Sequence, residues 1–164
     1  MIMYEEEFRQ ISFLLNRLYR EANARACYII DKNGQLVAHA GETQNIDAVS
    51  LASLIAGSIA ATASLAKLMG EKEFSSVFHE GQSDHMHVSV VGQRVILVVL
   101  FDQRSSLGLI RLRVRKISDE MEKIFVTLAQ KSNAPQKQTP FSEITDDDID
   151  SLFQDDDIEN IFKE

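Results

Sequence analysis

Between Asp47 and Gly70 the chain reads DAVSLASLIAGSIAATASLAKLMG, and from Ala48 to Ala66 no residue is charged. The stretch is too long for a strand and too rich in Ala and Leu for a loop, so the sequence predicts a helix. Asp47 is placed to cap its start, and Gly70 to take the left-handed position past its end. At about 100° per residue the helix has two unlike arcs. One carries Leu51, Leu54, Ile55, Ile59, Leu65, Leu68 and Met69, an expected core face. The other carries Ser53, Ala56, Gly57, Ala60, Ala63 and Ser64, with Val49 and Lys67 near its ends. That second arc is smooth and uncharged, whereas a helix facing water normally shows charge there. Three readings compete: a membrane span, a helix buried all round in its own domain, and a helix that keeps its small-residue face for a partner protein. Five hydroxyl residues, from Ser50 to Ser64, dilute the hydrophobicity, and strand-like stretches flank the segment, so no membrane span is expected.

The 164 residues fit one domain plus a tail, and the 45% hydrophobic content is enough for a core. Cys27 is the single cysteine, so no intramolecular disulfide can form. It sits in the strand pattern Ala26–Ile30 and reads as a small buried residue rather than a reactive thiol. The start MIMYEEEF lacks the basic region and apolar run of a signal peptide, and a cytoplasmic location is expected. Charge is unevenly spread. From Phe141 to Glu164 seven Asp and three Glu stand against one Lys, a net of −9; the whole chain carries −8, so the preceding 140 residues sum to +1. No basic stripe exists to release phosphate counterions, which argues against a nucleic-acid partner.

In order, Tyr4–Ala22 reads as an amphipathic helix with Tyr4, Phe8, Ile11, Leu15, Leu18 and Ala22 on one face. Two strands follow, Ala26–Ile30 and Gln35–Ala40, joined by Asp31-Lys32-Asn33-Gly34, where Asn-Gly supplies positive φ. After the central helix come strands at Phe74–His79, His85–Val91 and Arg94–Phe101. The last, RVILVVLF, is apolar on both faces and reads as a central strand covered on both sides. Ser105 or Ser106 then caps a helix to about Lys131, buried through Leu107, Ile110, Val114, Ile117, Met121, Ile124, Phe125 and Leu128. The predicted fold is α+β: an α-β-β-α-β-β-β-α sandwich with a five-stranded antiparallel sheet and a long central helix. Its domain spans residues 1–131, the linker SNAPQKQTP covers 132–140, and an acidic tail covers 141–164.

This order, with MYEEEF (Met3–Phe8), DKNGQL (Asp31–Leu36), TQNIDAVSLASL (Thr43–Leu54), GLIRLR (Gly108–Arg113) and DDDIDSLF (Asp146–Phe153), resembles the roadblock/dynein-light-chain family. The similarity is to its bacterial MglB-type branch of polarity proteins and covers nearly the whole chain. It implies a homodimer in which two sheets join edge to edge and two central helices lie side by side. It further implies that the dimer holds one small Ras-like GTPase of the MglA type on the shared face, stimulates its GTP hydrolysis, promotes exchange, and concentrates at a cell pole. Ser53, Ala56, Gly57, Ala60 and Ser64, with Lys67 at the end, become the GTPase-binding face. The alternative within the same fold is a non-catalytic dimeric scaffold or adaptor.

No catalytic constellation stands out. A Gly-rich phosphate loop followed by Lys-Ser/Thr is absent, so neither nucleotide nor any other cofactor is expected on this chain. His85 and His87 alternate along one strand and His79 lies on the preceding one, but no second motif of ligand spacing supports a metal. They read as exposed strand histidines. Arg104 is the one loop-tip candidate for an arginine finger; its plainer reading is a surface arginine near a helix start.

The tail holds an internal repeat: DDDIDSLF at Asp146–Phe153 recurs as DDDIENIF at Asp155–Phe162, nine residues on. Each copy places three acids before an apolar trio, Ile149, Leu152 and Phe153, then Ile158, Ile161 and Phe162. The spacing i, i+3, i+4 gives a one-sided helical patch, and acids at its start suit the helix dipole. The expectation is two docking motifs for the GTPase, against the plainer reading of a solubilising tail.

Overall fold

The computed structural model describes residues 3–133. The elements are α1 (Glu5–Glu21), β1 (Ala26–Asp31), β2 (Leu36–Gly41), α2 (Ala48–Leu68), β3 (Ser76–His79), β4 (His85–Val91), β5 (Val95–Phe101) and α3 (Leu107–Asn133). The strands form one antiparallel sheet in the order β2-β1-β5-β4-β3. β5 is central: Leu97, Val99 and Phe101 point into the layer under α1 and α3, while Ile96 and Val98 point under α2. This double cover is why RVILVVLF is apolar at successive positions.

On the first face α1 buries Ile11, Leu14, Leu15 and Leu18. Each contributes about 2 kcal/mol by leaving water, against helix-propensity differences of about 0.5 kcal/mol per residue, so packing holds α1 in place. Tyr4 and Phe8, expected on the buried stripe, are instead 49% and 45% exposed. Near the helix start the inward position belongs to Glu7, whose carboxylate accepts from Lys131 at the far end of α3. Arg17–Glu120 and Arg113–Glu21 complete the set, so α1 and α3 run antiparallel. Along α3, Ile110, Val114, Ile117, Met121, Phe125 and Leu128 are buried as the periodicity predicts, and the helix continues two residues past Lys131. Ser106, not Ser105, caps it: Leu109 N–H donates to Ser106 Oγ at 3.2 Å. Ser105 Oγ donates instead to the Ala22 carbonyl, tying α3 to the end of α1.

Two of the three hairpin turns divide their labour differently from the sequence expectation. At Asp31–Gly34 only Gly34 has positive φ (87°). Asp31 Oδ1 accepts from the Asn33 and Gln35 amides at 2.9 Å, and the β1/β2 register shifts by one between Ile29 and Ile30. This is a three-residue loop with a glycine bulge rather than a two-residue Asn-Gly turn. The turn with two left-handed residues lies between β4 and β5, at Gly92 (58°) and Gln93 (56°).

Candidate functional site

The other face of the sheet is covered by α2 alone. The helix is closed at both ends by its sequence. Asp47 accepts from Ser50 N–H at 3.1 Å and from Ser50 Oγ at 2.6 Å, and these donors hold its carboxyl below the usual carboxylate range. At the far end Gly70 adopts φ 78°, its N–H bonds Lys67 O (3.2 Å), and Glu71 N–H bonds Ala66 O (2.9 Å). That pair of bonds is a Schellman closure, which leaves few bare carbonyls.

Of the 21 residues of α2 only Ala52, Ile55 and Ala66 are buried. Ala48, Leu51, Ala56 and Ile59 pack beside them over Tyr28, Ile30, Ile96 and Val98. Small residues therefore face inward and let the helix sit close to the sheet. The closest approach is at the β1–β2 turn, where a Cβ on Gly34 would lie 3.2 Å from Ser53 Cα and 3.4 Å from Ala56 Cβ. The expected core arc holds at Leu51, Ile55 and Ile59 and is corrected at its other members. Leu54 (74%), Leu65 (55%), Leu68 (85%) and Met69 (70%) are exposed in the single chain, so large side chains point outward. A helix apolar on all sides gives no moment by which periodicity can choose its inner face.

The outward surface is two adjacent stripes. Ser53, Gly57, Ala60 and Ser64, all exposed, follow one another at i, i+4, i+7, i+11, with Lys67 exposed near the end. Leu54, Ala61, Leu65 and Leu68 run beside them at i, i+7, i+11, i+14. Ala56 is half-buried and turned toward the sheet, so it forms only the border of the small stripe. A Cβ added at Gly57 would meet nothing within 4 Å. Of the two hydroxyls in the small stripe, that of Ser64 is turned back on the helix, its Oγ donating to Ala60 O at 3.3 Å. Beside the stripe, Thr62 Oγ1 donates to Ser58 O in the same way. The face thus offers a partner little free polarity. Among the described residues α2 is the one helix long and apolar enough to cross a membrane, yet its inner side is packed on its own sheet.

At one end of the sheet, charges are locked together. Arg104 Nε meets Asp102 at 3.0 Å and Arg104 Nη1 meets Glu42 at 3.3 Å. Glu42 also holds Arg25 at 3.5 Å, and Arg25 reaches Asp84 at 2.6 Å. These carboxylates raise the Arg104 pKa further. The guanidinium is clamped rather than presented, which fits a structural arginine. Two of the three strand histidines are corrected too, while His79 is exposed as expected. His87 is only 2% exposed and its Nδ1 has no partner among the described residues; burial and Arg111 hold it neutral. His85 lies on the same sheet face, within a ring cluster with Phe78 and Phe101. His79 pairs with Met86 and so lies on the opposite face. Among the described residues no three His, Cys, Asp or Glu side chains converge as metal ligands. Cys27 is buried and its thiol is pushed up to about 12 by desolvation. The tail motifs around Ile149, Leu152 and Phe153 and around Ile158, Ile161 and Phe162 lie outside the described residues.

Sequence reasoning missed the outward leucines Leu54, Leu65 and Leu68. Alanines do recur on the inward side, at Ala48, Ala52, Ala56 and Ala66, but Ala60 and Ala61 face outward, so small size alone does not mark the inner face.

Comparison with known proteins agrees with this architecture. The Roadblock/LC7 domain model matches residues 10–101. The solved structure of Myxococcus xanthus MglB is 56% identical, with a TM-score of 0.74 over 78% of this chain and 96% of that one. The gliding protein MglB from Thermus thermophilus is 31% identical, with a TM-score of 0.71 over 76% of this chain and 94% of that one. An MglB with a tetrameric arrangement is 29% identical, with a TM-score of 0.72 over 76% and 93%. Comparison with curated protein sequences gives no match.

Proposed function

This chain belongs to the Roadblock/LC7 family, and from that membership and its similarity to MglB we propose that it is a homodimeric regulator of a small Ras-like GTPase in cell polarity. One observation carries the reading: α2 is uncharged from Ala48 to Ala66 and mostly exposed in the single chain. Two outward stripes fit two partners. The leucine stripe suits the α2 of a second copy. Three leucines from each copy contribute about 10 kcal/mol, comparable to the cost of association, so a further contact is needed. The free edge of β3 supplies one by joining two sheets. The small stripe, doubled by the dimer's two helices, leaves a smooth surface for the GTPase. The tetrameric arrangement of the MglB relative supports further pairing of such dimers.

The mechanism is a population shift. The dimer binds the hydrolysis-competent conformation of the GTPase better than the others and so raises its occupancy. No donated arginine is required, in keeping with the clamped Arg104. The site of action is cytoplasmic, concentrated at a cell pole. The test is GTP turnover by an MglA-type GTPase from the same cell, with and without this chain. Stimulated turnover is expected. Ala60→Arg or Ser64→Arg should abolish binding by steric clash and an unpaired buried charge, with the dimer intact. Tight binding without stimulation would leave the scaffold reading, and undiminished co-elution of the arginine variants would place the GTPase elsewhere.

A further inference from the structure

On the layer opposite α2, helices α1 and α3 leave an open groove of about 790 Å³. Buried Leu14 and half-buried Ile124 supply its apolar part; Arg9 lies on one side, Glu120 and Lys123 on the other. Its lining includes Phe13, which is 61% exposed and outside both packed cores of the chain. We propose that this face is where two dimers pair, the occupant of each groove being Phe13 of a second copy. The inference rests on the self-assembly reading above and adds the surface that performs it.

Three features favour a second copy over another partner. Phe13 stands on the lining of the groove itself, so knob and hole share one face, which a two-fold contact requires, because each copy must offer both. The rim carries both signs, with Arg9 and Lys123 near Glu5 and Glu120, so it complements itself; a strongly acidic or basic partner would call for one sign. The sheet separates this layer from α2, so pairing here leaves the α2 face free. The size sets the strength. The 17 residues of α1 make a helix of about 25 Å, and two helix widths of about 10 Å each give roughly 500 Å² per copy. A total near 1,000 Å² is at the low end of specific interfaces, so pairing is weak and depends on concentration.

The experiment is sedimentation of the full chain from low to high micromolar concentration. The mass is expected to rise from two to four times 18.5 kDa. Phe13→Glu and, independently, Lys123→Glu should hold it at two at every concentration. Phe13 is outside the core, so the unfolding temperature of its variant should not change. A tetramer that survives Phe13→Glu, or a wild type that never exceeds the dimer, overturns the proposal. So does a Phe13→Glu variant that keeps its mass distribution but loses the GTPase or a synthetic peptide of residues 141–164, because the groove then belongs to that occupant. If the masses behave as expected and GTP turnover does not respond to the chain, the regulatory reading fails and this one stands.

Discussion

His87 and Glu7 bear on how the domain should respond to acid, Glu7 together with Asp47 and Asp102, whose carboxyls are also held low. His87 is buried and neutral, its pKa lowered from 6.5 by desolvation and by Arg111. The unfolded chain takes up a proton as pH falls through about 6.5, and the folded chain resists, so stability declines from there down to the folded pKa of His87. Glu7 works at lower pH. Lys131 holds its carboxyl below 4.5, so its contribution is complete above that value and is lost as pH falls through the folded pKa. The thermal midpoint should therefore be flat above about pH 7 and fall in two stages below it. His87→Leu should remove the first stage and leave the second. A midpoint that falls equally in wild type and His87→Leu between pH 6.5 and 5 would show that His87 is not the group concerned. Lys131→Met should lower the midpoint even at neutral pH, because it leaves the Glu7 carboxylate buried without its cation.

At the scale of the element, α2 shows how stability and binding come apart. Gly57 sits in the helix interior with open space around its Cβ position. Gly57→Ala should stabilise the helix by about 1 kcal/mol, or about 3–5 °C in Tm for a domain this size. The added methyl stands on the small stripe, however, and should weaken GTPase binding several-fold. Calorimetry and a binding curve on the same sample decide it; a stabilised variant that binds as tightly as wild type would mean the stripe is not the contact. The same helix marks the limit of what the sequence discloses. Where the pattern along an element is strong its packing was mostly legible. On α3 Ile110, Val114, Ile117, Met121, Phe125 and Leu128 are buried as read, with Ile124 half-buried, and β5 is covered on both faces. On α1 the stripe held from Ile11 to Leu18 but not at Tyr4 and Phe8. Both caps of α2 were legible because Asp47 and Gly70 act locally. Its orientation was not, because Leu54 and Leu65 are as apolar as Ile55 and only the sheet decides which of them is inside. The burial of Glu7, and of His87 against its reading as exposed, was not legible for a related reason. Their burial depends on Lys131 and on the α3 layer, both remote in sequence.

Over the whole molecule charge divides into a body of +1 and a tail of −9, and the tail makes the prediction most specific to this chain. Suppose residues 146–162 formed one continuous helix. The nine-residue offset would turn about 900°, two and a half turns, and the trio Ile149, Leu152, Phe153 would face away from Ile158, Ile161, Phe162. One groove could not hold both. The two copies should then act as separate docking motifs that compete for a single groove on the GTPase, each tethered by the same linker at high effective concentration. Two competing copies raise the chance of engagement about twofold, worth about 0.4 kcal/mol. The ten acids should matter more, by steering the tail toward a basic patch with a strong salt dependence. Removing residues 155–164 should therefore weaken GTPase binding slightly, and removing 141–164 should weaken it greatly, with the gap narrowing as salt rises. Binding curves for both truncations at low and moderate salt are the measurement. Equal losses would make the second copy the true docking motif and take that role from Ile149, Leu152 and Phe153.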